Sequence, residues 1–168
     1  AFMMHTTTSP RYPLVASIET AAAMLRGNPG KRLINRSVER ALHFRKEVQR
    51  LKDEADGWFF DIWQPEEIDE AECWPVSPGE SWHGFRDADA DHMFLDPVKV
   101  TILTPGMDEQ GTMSDEGIPA ALVAKFLDER GVVVEKTGPY NLLFLFSIGI
   151  DKTRAMGLLL GLMEFKRA

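Results

Sequence analysis

The chain has 168 residues, 44% hydrophobic and 27% charged, with a formal net charge of −7. That length supports one well-cored domain, or a core with a helical extension, and no apolar run reaches the roughly 20 residues of a membrane span. The acidic balance argues against nucleic acid as a partner, and the single cysteine, Cys73, excludes an internal disulfide or a cysteine-rich metal site and fits a reducing, cytoplasmic compartment.

Met3 to Pro10 is a hydroxyl-rich loop containing Thr6-Thr-Thr-Ser9. Such a run caps a helix or, with its hydroxyls beside backbone N–H groups, cradles a phosphate; without further information capping is the better reading. Pro10 and Pro13 lead into a slim, alanine-rich helix from about Leu14 to Leu25, which Arg26-Gly-Asn-Pro-Gly30 ends. A second helix from Lys31 to about Lys52 carries Ile34, Val38, Ala41, Leu42, Val48 and Leu51 on one side and solvated charges elsewhere. It would span about 30 Å, enough to connect two domains.

Trp58 to Trp63 reads as a strand, followed to about Leu95 by an irregular segment anchored by Trp74, Trp82 and Phe85. Val98 to Leu103 alternates as a strand with one buried face. Ser114 or Asp115 is expected to cap a helix from about Ile118 to Arg130, with Gly131 as its stop. Val132 to Val134 and Leu142 to Ile148 then read as strands joined by a turn at Gly138-Pro139, and Asp151 as the cap of a last helix packing through Met156, Leu159, Leu160 and Met163. The order β, β, α, β, β, α predicts an α+β unit, mixed α/β in class, with a mostly antiparallel sheet and helices on one face. The chain begins with Ala1 rather than Met and stops inside a helical pattern, as expected for a segment of a longer polypeptide.

Glu135 sits where the first apolar strand runs out. A buried carboxylate costs several kcal/mol unless it is paired, so it requires either Lys136 or an arginine as partner, or a cationic ligand. His5, His43, His83 and His92 are scattered without metal-ligand spacing, and His83 in Trp82-His-Gly-Phe85 reads as a packed histidine. Cys73 reads as a buried structural residue, and no dinucleotide, P-loop or serine-hydrolase motif is present. By themselves these residues name no reaction.

The strings His5-Thr-Thr-Thr-Ser-Pro10, Gly30-Lys-Arg-Leu-Ile-Asn35, Asp56-Gly-Trp-Phe-Phe-Asp61, Trp82-His-Gly-Phe85, Leu95-Asp-Pro-Val-Lys-Val-Thr-Ile-Leu-Thr-Pro-Gly-Met107 and Val134-Glu-Lys-Thr-Gly-Pro-Tyr-Asn141 resemble bacterial lysine decarboxylases, within the ornithine, lysine and arginine decarboxylases of pyridoxal-phosphate fold type I. The resemblance covers essentially the whole chain and implies a segment downstream of the lysine that carries the cofactor. No lysine here stands in the family's Ser-x-His-Lys setting, so the segment alone should be inactive. It implies three parts: residues 1–30 as the end of the large cofactor-binding domain, 31–56 as a connecting helix, and 57–168 as an incomplete small C-terminal domain.

By the same resemblance, Thr7 reaches the pyridoxal 5′-phosphate phosphate of a neighbouring subunit, with Thr6, Thr8 and Ser9 shaping the loop, and the cradle reading overtakes capping. Glu135 matches the carboxylate that meets the distal ammonium of L-lysine. Arg26 and Gly27 occupy the place of a guanosine tetraphosphate site at a contact between dimers, where enteric members have lysine. The implied activity is conversion of lysine to cadaverine in the acid-stress response of a cytoplasmic homodimer that assembles into decamers. The alternatives are ornithine or arginine decarboxylation, or a non-catalytic association module built on the helices from Leu14 to Lys52.

Overall fold

A computed structural model describes residues 11–66, 68, 74–107 and 112–168. The chain divides into two compact units, Ala1–Asn35 and Arg36–Ala168.

In the first unit, α1 (Tyr12–Leu25) places Pro13 in its first turn, where a missing N–H costs nothing, and stops at Arg26, whose backbone is extended. Gly27 follows with φ +64°, and α2 (Gly27–Glu54) starts at once, so Asn28-Pro-Gly30 opens the second helix instead of separating the two. The break is close. A Cβ at Gly30 would overlap the Leu25 carbonyl and lie 2.6 Å from Leu25 Cα. Gly30→Ala must therefore displace backbone, and it should cost about 1–3 kcal/mol in a urea-unfolding measurement, whereas Gly27→Asn should cost less. No residue of α1 is buried.

The second unit is built on a four-stranded antiparallel sheet in the order β1-β4-β6-β5, formed by β1 (Asp61–Ile62), β4 (Lys99–Leu103), β5 (Lys136–Thr137) and β6 (Asn141–Leu145). Val100 faces Phe144 and Ile102 faces Leu142 across β4 and β6, and all four are buried. These cross-strand pairs give the sheet its apolar face. Packed with them are Ala41, Phe44, Val48 and Leu51 of α2, Val123 and Leu127 of α3 (Ala120–Asp128), and Leu158, Leu159 and Leu162 of α4 (Lys152–Arg167). Gly161 lets α4 approach α3, since a Cβ there would stand 2.7 Å from Leu127 Cδ2.

Between β1 and β4 the chain forms a two-stranded ribbon, β2 (Trp74–Pro75) with β3 (Phe94–Leu95), over a second small core of Val76, Trp82 and Ala88. Trp82 anchors it as expected, Trp74 is half-buried, and Phe85 is about half exposed with its ring against those of Trp63 and His83. His83 is packed: its Nδ1 accepts from the Phe85 N–H at 2.9 Å and its Nε2 lies 3.0 Å from the Ser77 carbonyl. Cys73 lies outside the described residues.

The α+β architecture, the antiparallel sheet and the Gly131 and Asp151 signals agree with the sequence. Gly131 has φ +76°, and the Asp151 carboxylate accepts the Arg154 N–H at 2.8 Å. Other expectations are corrected. Trp58 to Phe60 and Val132 to Val134 are not strands: Trp58, Phe59, Phe60, Val132 and Val134 pack into the core from irregular backbone instead of joining the ladder, while Val133 is exposed. Pro119, not Ser114 or Asp115, precedes α3, and the Ser114 hydroxyl bonds the Glu116 carbonyl. On α4 the buried side is Leu158, Leu159, Gly161 and Leu162, leaving Leu160 and Met156 exposed. Ile34 is exposed too.

The charges of α2 are not all solvated. Arg45 is 0% exposed and reaches the carbonyls of Pro97, Lys99 and Trp63.

Candidate functional site

Glu135 stands at the mouth of the β5–β6 hairpin. Lys136 is the register partner of Leu143, yet the Glu135 N–H also donates to the Leu143 carbonyl at 2.9 Å, so two residues of one strand oppose a single residue of the other. That is a β-bulge, a device that re-aims a side chain at a sheet edge. Among the described residues β5 pairs with β6 alone, so the bulge lies on an outer strand of the described sheet.

The carboxylate is exposed and forms no ion pair or side-chain hydrogen bond with any other described residue. The expectation of a buried charge paired with Lys136 or an arginine is thus corrected. Because Val132 to Val134 do not extend β5 into the core, no burial penalty forces Glu135 to pair. It is a solvated anion placed by its backbone alone, open to a cationic group.

The turn that closes the hairpin is tied to two other segments. The Pro139 carbonyl accepts from Ala120 N–H and the Tyr140 carbonyl from Thr104 N–H, each at 2.9 Å, while Gly138 N–H donates to the Asn141 carbonyl. Thr104 Oγ1 in turn donates to the Ile118 carbonyl at 2.7 Å, and Ile118 N–H to the Pro105 carbonyl at 2.8 Å. The strings Thr104-Pro-Gly-Met107 and Thr137-Gly-Pro-Tyr-Asn141, far apart in sequence, therefore meet at one end of the sheet. Sequence reasoning noted both strings without linking them. Their Gly and Pro content signalled two turns, and nothing local tells that the turns touch.

A separate groove of about 520 Å³ is lined by Arg130, Val132, Phe144, Leu145, Arg154 and Leu158, among others, and Glu135 is not part of its lining. Among the described residues no group of three His, Cys, Asp or Glu side chains is placed to hold a metal. Thr6, Thr7, Thr8 and Ser9 lie outside the described residues. In the first unit Arg26 and Gly27 are exposed at the break between α1 and α2, with Arg26 N–H bonded to the Ala23 carbonyl.

The profile described as Orn/Lys/Arg decarboxylase, major domain, matches residues 1–154. The constitutive lysine decarboxylase of Escherichia coli K12 is 89% identical over 168 residues, which are 100% of this chain and 24% of that protein. The inducible lysine decarboxylase of the same strain is 69% identical over the same spans. The solved structure of the E. coli constitutive lysine decarboxylase superposes with a TM-score of 0.87 at 89% identity, over 99% of this chain and 23% of the other. The chain thus spans about a quarter of the length of the curated relatives it matches. With a match that runs through both compact units and takes in the Glu135 hairpin, the chain belongs to the Orn/Lys/Arg decarboxylase family.

Proposed function

We propose that this chain is a segment of a pyridoxal-phosphate-dependent decarboxylase that converts L-lysine to cadaverine and carbon dioxide. The observation that carries the reading is Glu135: a carboxylate set on an edge-strand bulge, exposed and unpaired, suited to the distal ammonium of a diamino acid. The likeness to lysine decarboxylases supports lysine among the family's substrates. A charged hydrogen bond to that ammonium favours lysine over neutral side chains of similar length, which leave the carboxylate unsatisfied.

The cofactor, when bound, supplies the electron sink for the pair left as carbon dioxide departs. This chain's part in holding it is assigned to Thr7 at the phosphate, with Thr6, Thr8 and Ser9 shaping the loop; their placement is not described, and no described residue is given a part in the bond-breaking step. The described residues bind and orient. Glu135 fixes the far end of the substrate, and the remaining walls of its pocket come from elsewhere in the enzyme.

In the wider reading, residues 1–30 close the large domain, 31–56 connect, and 57–168 belong to the small domain of a cytoplasmic enzyme active in acid stress. Two subunits share each site within a dimer that assembles into decamers. Arg26 and Gly27 are assigned to guanosine tetraphosphate: the guanidinium suits a phosphate, and a helix N-terminus follows immediately.

In the complete enzyme Glu135→Gln should raise KM for lysine about 30-fold, the factor that corresponds to ~2 kcal/mol of charged hydrogen bonding, while cofactor absorbance stays intact. An unchanged KM would remove Glu135 from the pocket. Initial rates on lysine, ornithine and arginine separate the lysine enzyme from its relatives: a faster rate on either of the other two would overturn the substrate assignment.

A further inference from the structure

We propose that Tyr140, seated on Gly106, is the positioning residue that holds Glu135 in place for the substrate ammonium; the inference rests on the decarboxylase reading above. Glu135 has no side-chain partner among the described residues, so its location is set by main chain. That main chain is a two-residue strand bonded along one side, entered through a bulge and closed by the turn of residues 138–141. With so short a ladder, the turn governs where the strand lies.

The turn is held by contact as well as by hydrogen bonds. Gly106 has φ +115°, and a Cβ built on it would overlap Tyr140 Cε1 and lie 2.7 Å from Cδ1 and 2.9 Å from Cζ. The aromatic ring thus fills the space a side chain at position 106 would need. Gly106 is itself fixed, since its carbonyl accepts the Ser114 N–H at 2.9 Å and the adjacent Pro105 carbonyl accepts that of Ile118 at 2.8 Å. A ring seated on hydrogen-bonded backbone restricts where the turn can lie. Displacing the ring moves the turn, and two residues of β5 carry the shift to the bulge. Misplacement by about 1 Å at a substrate-orienting group can cost up to about 100-fold.

The test is steady-state kinetics of the full-length enzyme on lysine with Tyr140→Ala, Tyr140→Leu, Tyr140→Phe and Gly106→Ala, each also combined with Glu135→Gln. Positioning predicts that Tyr140→Ala and Gly106→Ala raise KM about 10-fold with kcat within about twofold, and that Tyr140→Phe, which keeps the ring, restores the parent value. In the Glu135→Gln background the same changes should add little, because the group they position is gone. Should Tyr140→Ala unfold the enzyme, Tyr140→Leu retains apolar bulk and gives the same reading. KM effects that multiply with that of Glu135→Gln, or equal falls in kcat for every variant, would overturn the inference. An inert Glu135→Gln would instead defeat the pocket assignment on which it rests, so the two failures are distinct.

Discussion

Replacing Arg45 by Ala should lower the unfolding free energy by about 4 kcal/mol, an expectation built from its buried partners. Arg45 lies on α2 with its Nε and Nη2 each 3.3 Å from the Pro97 carbonyl, Nη2 2.8 Å from the Lys99 carbonyl and Nη1 3.3 Å from Gln64 Oε1. Its guanidinium also stands 5.1 Å from the centre of the Trp74 ring. One side chain thereby closes the start of β4, the end of β1 and the base of the β2–β3 ribbon. Removal leaves at least two carbonyls without their donor, each costing about 1–3 kcal/mol, and opens a cavity besides.

Burying the cation is itself unfavourable. Desolvation lowers the Arg45 pKa to about 10, with the charge of Asp96 opposing the shift. Since the folded state holds this proton less tightly than the unfolded chain, stability gained from the shift appears only as pH rises above about 10. Between pH 5 and 9 the loss in Arg45→Ala should therefore be independent of pH. Arg45→Lys, which offers one compact ammonium to several acceptors and cannot stack as a plane, should lose an intermediate amount. Urea unfolding of the protein followed by tryptophan fluorescence checks both, and a loss below about 0.5 kcal/mol, the size of a surface substitution, would contradict the network.

Phe60→Ala is expected to cost about 3–5 kcal/mol. Phe60 is 1% exposed and is packed among the rings of Phe59 at 4.7 Å, Trp58 at 5.5 Å and Phe165 at 6.1 Å between centroids. It joins the segment after α2 to the C-terminal turn of α4, where Lys166 also donates to the Asp56 carbonyl. Truncation removes the ring from water-excluded contacts and leaves a void that backbone on both sides keeps from collapsing. Phe59→Ala, from a half-buried position, should cost distinctly less. Thermal unfolding of both variants measures the difference; equal losses would mean that neither ring is the centre of the cluster.

Neither Arg45 nor Phe60 was marked out by the local pattern. On a helical wheel Arg45 sits near Leu42 and Val48, yet an arginine counts as polar whatever it faces, and only the approach of Pro97 and Lys99 from more than fifty residues away supplies the carbonyls that make burial tolerable. The aromatic run Trp58-Phe-Phe60 has strand composition, and it departs from strand geometry because its rings have a better place in the core than in a ladder.

What the sequence by itself determined follows from short-range chemistry. The helix stop at Gly131 needs a left-handed residue, the Asp151 cap needs a carboxylate three residues before a free N–H, and the alternation of Val100 and Ile102 needs one buried face. Each of these rules acts within a few residues, so it can be read along the chain. The family was likewise readable from long strings of residues. Only the tertiary structure decided that Glu135 is an exposed anion on a bulge, that Tyr140 rests on Gly106, and that Arg45 is inside. All three depend on which distant segments meet, and that is settled by the summed packing of the second unit, in which a bulge or a buried cation is kept when the surrounding contacts outweigh its local cost.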